Sequence, residues 1–233
     1  CRIKIFNENG YDRASASVSV YNDQNIEESI YKIRGTTYNL DNGKIQKSKL
    51  SKKSIFEEET SEHWTRHKLT MPDVREGSII EYSYEIRSDQ LAFLRPWDFQ
   101  HEIPVIWSEY EVEIPEYYNY LKISSGYEPF VINESSTMGR TETFVYTSRN
   151  NMNQSRMQSD VLTYTAHLFH WAVQDAPALK DEKFVSNIND YCTRIEFQLS
   201  NRKLPGREFQ EFLGSWEDMN EKFLVDFDDF KKN

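Results

Sequence analysis

Apolar and polar residues alternate at every second position through most of the chain, the signature of strands with one buried face. In GSIIEYSYEIRS, Ile80, Tyr82, Tyr84 and Ile86 fall on one side, and Glu81, Ser83, Glu85 and Arg87 on the other. ASVSVY repeats the pattern through Val18 and Val20, RIKIF through Ile3 and Ile5, and CTRIEFQLS through Ile195, Phe197 and Leu199. In LTYTAHLFHWAV, Leu162, Tyr164, Ala166 and Leu168 oppose Thr163, Thr165, His167 and Phe169. That run becomes apolar on both sides toward its end, which predicts a strand covered on both faces.

The turn residues fit antiparallel pairing. Asn9-Gly10 and Asn42-Gly43 are dipeptides favoured where two successive residues need positive φ. The second lies between TTYNL and KIQKSKL and predicts a hairpin, and Glu76-Gly77 marks a further turn after MPDV. The polar stretches NESSTMGR and SRNNMNQSRMQSD read as exposed loops. Past Leu204-Pro205-Gly206 the period changes to three and four, through Phe209, Phe212, Leu213, Trp216, Phe223, Leu224 and Phe227. Gly214-Ser215 interrupts that stripe, and Ser215 with Asp218 resembles an N-cap and an acidic first turn. The expected architecture is all-β: an antiparallel β-sandwich over residues 1–204, followed by a short C-terminal α-helical segment over 205–233.

Composition narrows the class. With 233 residues, 38% apolar and 14% aromatic, the chain can bury a core without staples. A net charge of −10 argues against a nucleic-acid binder, which needs a basic surface. The clusters around Lys44, Lys47 and Lys49 and at Lys52-Lys53 read as solvated hairpin faces. No apolar run approaches the roughly 20 residues that span a bilayer as a helix. The chain opens CRIKIF, already strand-like, so no signal peptide is expected within it. Cys1 reads as a processed terminus or as a boundary inside a longer precursor; no polar spacer of the kind that follows a lipid anchor precedes the first strand. With only Cys1 and Cys192, neither a metal cluster nor a disulfide scaffold is expected. Cys192, in DYCTRIEF, has no glycine-rich elbow or adjacent histidine and reads as a small buried side chain.

The run WSEYEVEIPEYYNY concentrates carboxylates and aromatic rings. Its alternation turns Tyr110, Val112 and Ile114 inward and Glu109, Glu111 and Glu113 outward. Same-face residues two apart are separated by about 7 Å, a spacing also used by glycosidase carboxylates. Three neighbouring glutamates on one open strand all stay ionised, however, and leave no general acid. Tyr117 and Tyr118, beyond Pro115, are the candidate binding residues, because rings at a loop can stack on a sugar or grip a partner. His63 and His67 form an H-x-x-x-H pair, but HWTRHKLTM reads as strand, which separates the two side chains by over about 10 Å. The five tryptophans are spread along the chain as core anchors would be. No nucleotide, phosphate or nucleophile-elbow fingerprint occurs, and no catalytic residue, metal or cofactor is expected.

Four segments carry a resemblance: TTYNLDNGKIQKSKL, HWTRHKLTMPDVREGSIIEYSYEI, WDFQHEIPVIWSEYEVEIPEYY and WAVQDAPALKDEKFVSNINDYCTRIEFQL. In this order and spacing, over residues 2 to 200, they resemble the domain of unknown function 3857 family. That domain precedes transglutaminase-like domains in envelope proteins of Gram-negative bacteria. SWEDMNEKFLVDF further resembles the helical lead-in to such a domain. The resemblance implies a β-sandwich without established catalysis and a periplasmic or secreted location. The Cys-His-Asp triad of the neighbouring domain lies beyond the lead-in, so it maps to no residue here. The expected function is a non-catalytic accessory domain whose partner is its own transglutaminase-like domain or another protein. The alternative is a carbohydrate-binding module for cell-envelope glycans using exposed aromatic rings. A glycoside hydrolase built on the glutamates ranks third.

Overall fold

The computed structural model describes residues 1–149, 155–180 and 188–213. The fold is all-β with antiparallel sheets, and the chain divides into two compact units, Cys1–Leu91 and Ala92–Asn233. Among the described residues no helix is long and apolar enough to cross a membrane.

The first unit contains β1 (Arg2–Lys4), β2 (Ser15–Tyr21), β3 (Glu28–Asp41), β4 (Lys44–Lys49), β5 (Ile55–Ser61), β6 (Trp64–Thr70) and β7 (Ile79–Ser88). They form two sheets, ordered β1-β7-β3-β4 and β2-β6-β5. Leu69 from one sheet and Ile80 from the other meet with Met71 in a core flanked by Ile3, Ala16, Ile33, Ile55 and Tyr82. The predicted hairpin is present: Asp41 pairs with Lys44 across Asn42 and Gly43, whose φ values are 46° and 76°. Two successive positive φ angles give the turn whose twist matches its strands. The MPDVREGS turn is pinned by a polar relay. Ser78 Oγ donates to Asn39 Oδ1 at 2.5 Å, and Asn39 Nδ2 donates to the Asp73 carbonyl at 2.8 Å.

Asn9-Gly10 departs from expectation. It lies in a 3-10 segment, Glu8–Ala14, and β1 pairs with β7 instead of with the strand that follows. Asn7 accepts from the Asn9 amide at 3.1 Å, so an N-cap takes precedence over a hairpin turn.

The second unit contains β8 (Phe93–Asp98), β9 (Val105–Pro115), β10 (Tyr118–Ser125), β11 (Ile132–Arg149), β12 (Ser155–Ala176), β13 (Arg194–Arg202) and β14 (Gln210–Glu211). One sheet is ordered β11-β12-β9; in the other, β13 pairs with β10, β14 and β8. Their inner faces share a core of Phe99, Ile114, Trp171, Val173, Ile195 and Phe197. The end of β12 is buried on both faces, as its sequence predicts, since Trp171, Ala172 and Val173 are all covered.

Three expectations are corrected here. NESSTMGR and residues 155–160 are strand, not loop; β11 and β12 pair from Ile132↔Ala172 to Arg149↔Ser155. Among the described residues β9 pairs with β12 only between Ala166 and Ala176, so the hairpin runs on beyond it as a ribbon. Thr141, Glu142, Thr143, Val145, Val161 and Thr163 of this ribbon are exposed, so they need no apolar alternation, and the β-branched ones among them favour the extended backbone. Secondly, Gln210 and Glu211 do not begin a helix. They pair with Arg202 and Asn201, and the amides of Phe212 and Leu213 both donate to the Ser200 carbonyl. The rest of the expected helical segment, 214–233, lies outside the described residues. Thirdly, only Trp171 of the four described tryptophans is a core anchor. Trp64, Trp97 and Trp107 are exposed. The Trp97 and Trp107 indole N–H groups are bonded to Ser108 and Glu109 side chains, an arrangement suited to a ring with one wet end.

Candidate functional site

Strand register decides which side chains share the outer face of the β11-β12-β9 sheet. Glu111 lies directly opposite His170 on the central strand, and Glu134 of β11 lies opposite His170 on its other side. Because side chains alternate along a strand, Glu109 and Glu113 share this face, as do Arg140 and Tyr164. The inner face carries Tyr110, Val112 and Ile114, which pack on or within the core. The predicted division of WSEYEVEIPEYYNY into a wet and a dry face is therefore observed.

The glutamates are not simply free in water. Trp107 Nε1 donates to Glu109 Oε2 at 2.9 Å, and His170 Nε2 lies 2.6 Å from Glu109 Oε1. A carboxylate that is ionised only accepts, which assigns the proton of that contact to Nε2. Glu111 Oε1 lies 3.8 Å from the same nitrogen. The Trp107 hydrogen bond, and after it the His170 hydrogen bond, hold the Glu109 carboxyl below the usual glutamate range. Arg140 binds Glu113 in a bidentate fork, with Nε and Nη2 each 2.6 Å from a carboxylate oxygen. That hydrogen-bonded guanidinium depresses Glu113 in turn. A depressed carboxyl contributes above its unfolded-state value and loses the contribution as pH falls through its folded value. Neither residue is the proton-bearing acid that glycoside hydrolysis needs near neutral pH.

Arg140→Ala is expected to move the Glu113 carboxyl upward, toward its ordinary value, in a carboxyl-detected NMR titration. An unchanged Glu113 titration would show that the fork does not persist in solution.

Tyr117 and Tyr118 do not form one platform. Tyr118 opens β10 and packs against the core, whereas the Tyr117 ring lies 5.9 Å from Tyr164, tilted at 47°. Both are half-buried. The H-x-x-x-H histidines are likewise kept apart in role. His67 is buried on β6, 3.5 Å from Glu57, while His63 is exposed beside Tyr21. Cys192 is 2% exposed, with its sulfur bonded to the carbonyls of Gln100 and Thr193. Burial, reinforced by Asp98, pushes its thiol up, away from the thiolate that nucleophilic chemistry requires.

What sequence reasoning missed is His170. It stands 61 residues from Glu109, and only the β9–β12 register brings them together. Alternation along its own strand gave no signal, because His170 falls in phase with Leu162, Tyr164, Ala166 and Leu168.

The chain resembles a "putative protease" of known crystal structure from Parabacteroides distasonis ATCC 8503, with a TM-score of 0.58 and 12% sequence identity. The similarity covers 86% of this chain but 36% of that one, so at this identity it establishes the fold and nothing further. No curated protein matches the chain significantly. The model of one family, a domain of unknown function with a solved structure (DUF3857), matches residues 2–152, well over half of the sequence. The chain belongs to the DUF3857 family.

Proposed function

We propose that this chain is a non-catalytic accessory module of a larger bacterial envelope protein, placed beside a protease- or transglutaminase-like domain. Its task is to position that domain or to hold a protein partner. The observation that carries this reading is the coverage: a fold filling 86% of this chain accounts for 36% of a protein described as a putative protease. Such a fold is one part of a longer polypeptide there, and the remaining length is available for chemistry.

The chemistry of the chain's own residues supports the same reading. A transglutaminase-like reaction needs a thiolate with an imidazole beside it. Cys192 is sealed under Gln100 and Thr193 as a high-pKa thiol, which suits packing and opposes nucleophilic attack. The ordered carboxylates on β9 are bonded to Trp107, His170 and Arg140, as suits a fixed polar surface.

The purified chain is expected to show no thiol-dependent hydrolysis or amide transfer on peptide substrates, and Cys192→Ala to leave that baseline unchanged. Turnover that disappears in Cys192→Ala would overturn the proposal.

A further inference from the structure

We propose that Glu109, Glu111 and His170 form a binding site for a divalent transition cation, with Zn2+ as the metal that fits best. This inference does not depend on the accessory-module reading. It rests on three donors from two paired strands: one oxygen from each carboxylate and a ring nitrogen all lie within 4.8 Å of one another.

The geometry is close to what a zinc ion needs. Ligands about 2.0–2.2 Å from a tetrahedral ion are roughly 3.5 Å apart. To reach that spacing the 2.6 Å contact between His170 and Glu109 must lengthen, while the 3.8 Å between His170 and Glu111 is already close to it. His170 Nε2 now shares its proton with Glu109 Oε1; zinc would replace that proton between the same two atoms. The backbone already fixes the placement, because Glu111 and His170 are register partners and Glu109 is two residues along on the same face.

The donor set selects the ion class. Two carboxylates match the 2+ charge, and Glu134, opposite His170 on the far strand, adds to the negative field. An imidazole nitrogen in the set favours zinc-like ions over Ca2+ and Mg2+, which take oxygen ligands. The support for the ligands is also present: the Trp107 indole holds Glu109 Oε2 and leaves Oε1 directed at His170. Glu113 is outside the site because both of its oxygens are bound by Arg140. His170 is 28% exposed on its side chain, so a fourth position is open to water or to a ligand atom from a partner.

The test is calorimetric titration of the whole chain with Zn2+ in a Cys1→Ser background, since the Cys1 thiol is exposed and would compete. The expected result is one saturable site with micromolar affinity. His170→Gln and Glu111→Gln should each weaken it by about tenfold or more, in line with the loss of a first ligand or its support. Glu113→Gln should leave it unchanged, and Ca2+ should bind at least tenfold more weakly than Zn2+. All three variants are surface substitutions whose folding is checked by circular dichroism. Absence of binding up to millimolar Zn2+, equal affinity in His170→Gln, or a preference for Ca2+ would each overturn the assignment.

Discussion

Trp171→Ala is expected to lower the stability of the second unit by about 4 kcal/mol, within the range of large aromatic truncations in protein cores. Trp171 is 2% exposed and joins both sheets. Its ring is parallel to that of Phe169 at 5.5 Å and lies 6.0 Å from Phe197 on the opposing sheet. Lys122 Nζ stands 5.1 Å above it, adding a cation–π contact. The indole N–H donates to Asn133 Oδ1, but Asn133 is exposed, so water replaces that bond and the loss is one of packing. Urea unfolding followed by circular dichroism measures the effect, and Trp171→Phe should cost clearly less because it keeps a ring against Phe169. A loss below about 1 kcal/mol for the alanine variant would show that the core is not centred on this residue.

Gly126→Ala should have the next largest effect, about 3 kcal/mol, summed from left-handed strain and overpacking. Gly126 has φ of 87°, and a Cβ there would lie 2.3 Å from Thr193 Cα and 2.4 Å from Thr193 N. Thr193 has no room to yield. Its amide donates to Gln100 Oε1, its carbonyl accepts from the Phe99 amide, and its hydroxyl accepts from the Glu128 amide. Gly77 supplies the comparison: its φ is 83°, yet a Cβ there meets nothing within 4 Å. Gly77→Ala should therefore cost only the conformational part, about 1 kcal/mol. The same unfolding measurement separates the two, and equal losses at both positions would rule out the Thr193 collision.

The two glycines also mark how far a sequence can be read. Gly43 was legible because it follows Asn42, a residue that commonly shares a turn with glycine, and Gly77 because it comes just after the Pro72-Asp73 pair of MPDV. Gly126 was not, since its role comes from a segment 67 residues away, as the Ser125–Cys192 bond beside it shows. The long polar hairpin was missed for a related reason. Burial writes alternation into a strand, and those side chains of the β11–β12 ribbon whose burial is described are exposed or half-buried on both faces. The division at Leu91–Ala92 left no trace either, because the same strand pattern continues on both sides of it.

For the candidate site, the sequence determined the dry and wet faces of β9. A period of two, with Tyr110, Val112 and Ile114 against three glutamates, allows one orientation once a core exists. The sequence also determined the all-β class and the Asn42-Gly43 hairpin, since both follow from local sterics and local burial. Only the tertiary structure decided that His170 faces Glu109 and Glu111, that Arg140 takes Glu113, and that Tyr117 and Tyr118 part company. Those are matters of register between strands distant in the chain. Register is fixed by the summed fit of whole strands, which no short stretch of sequence contains.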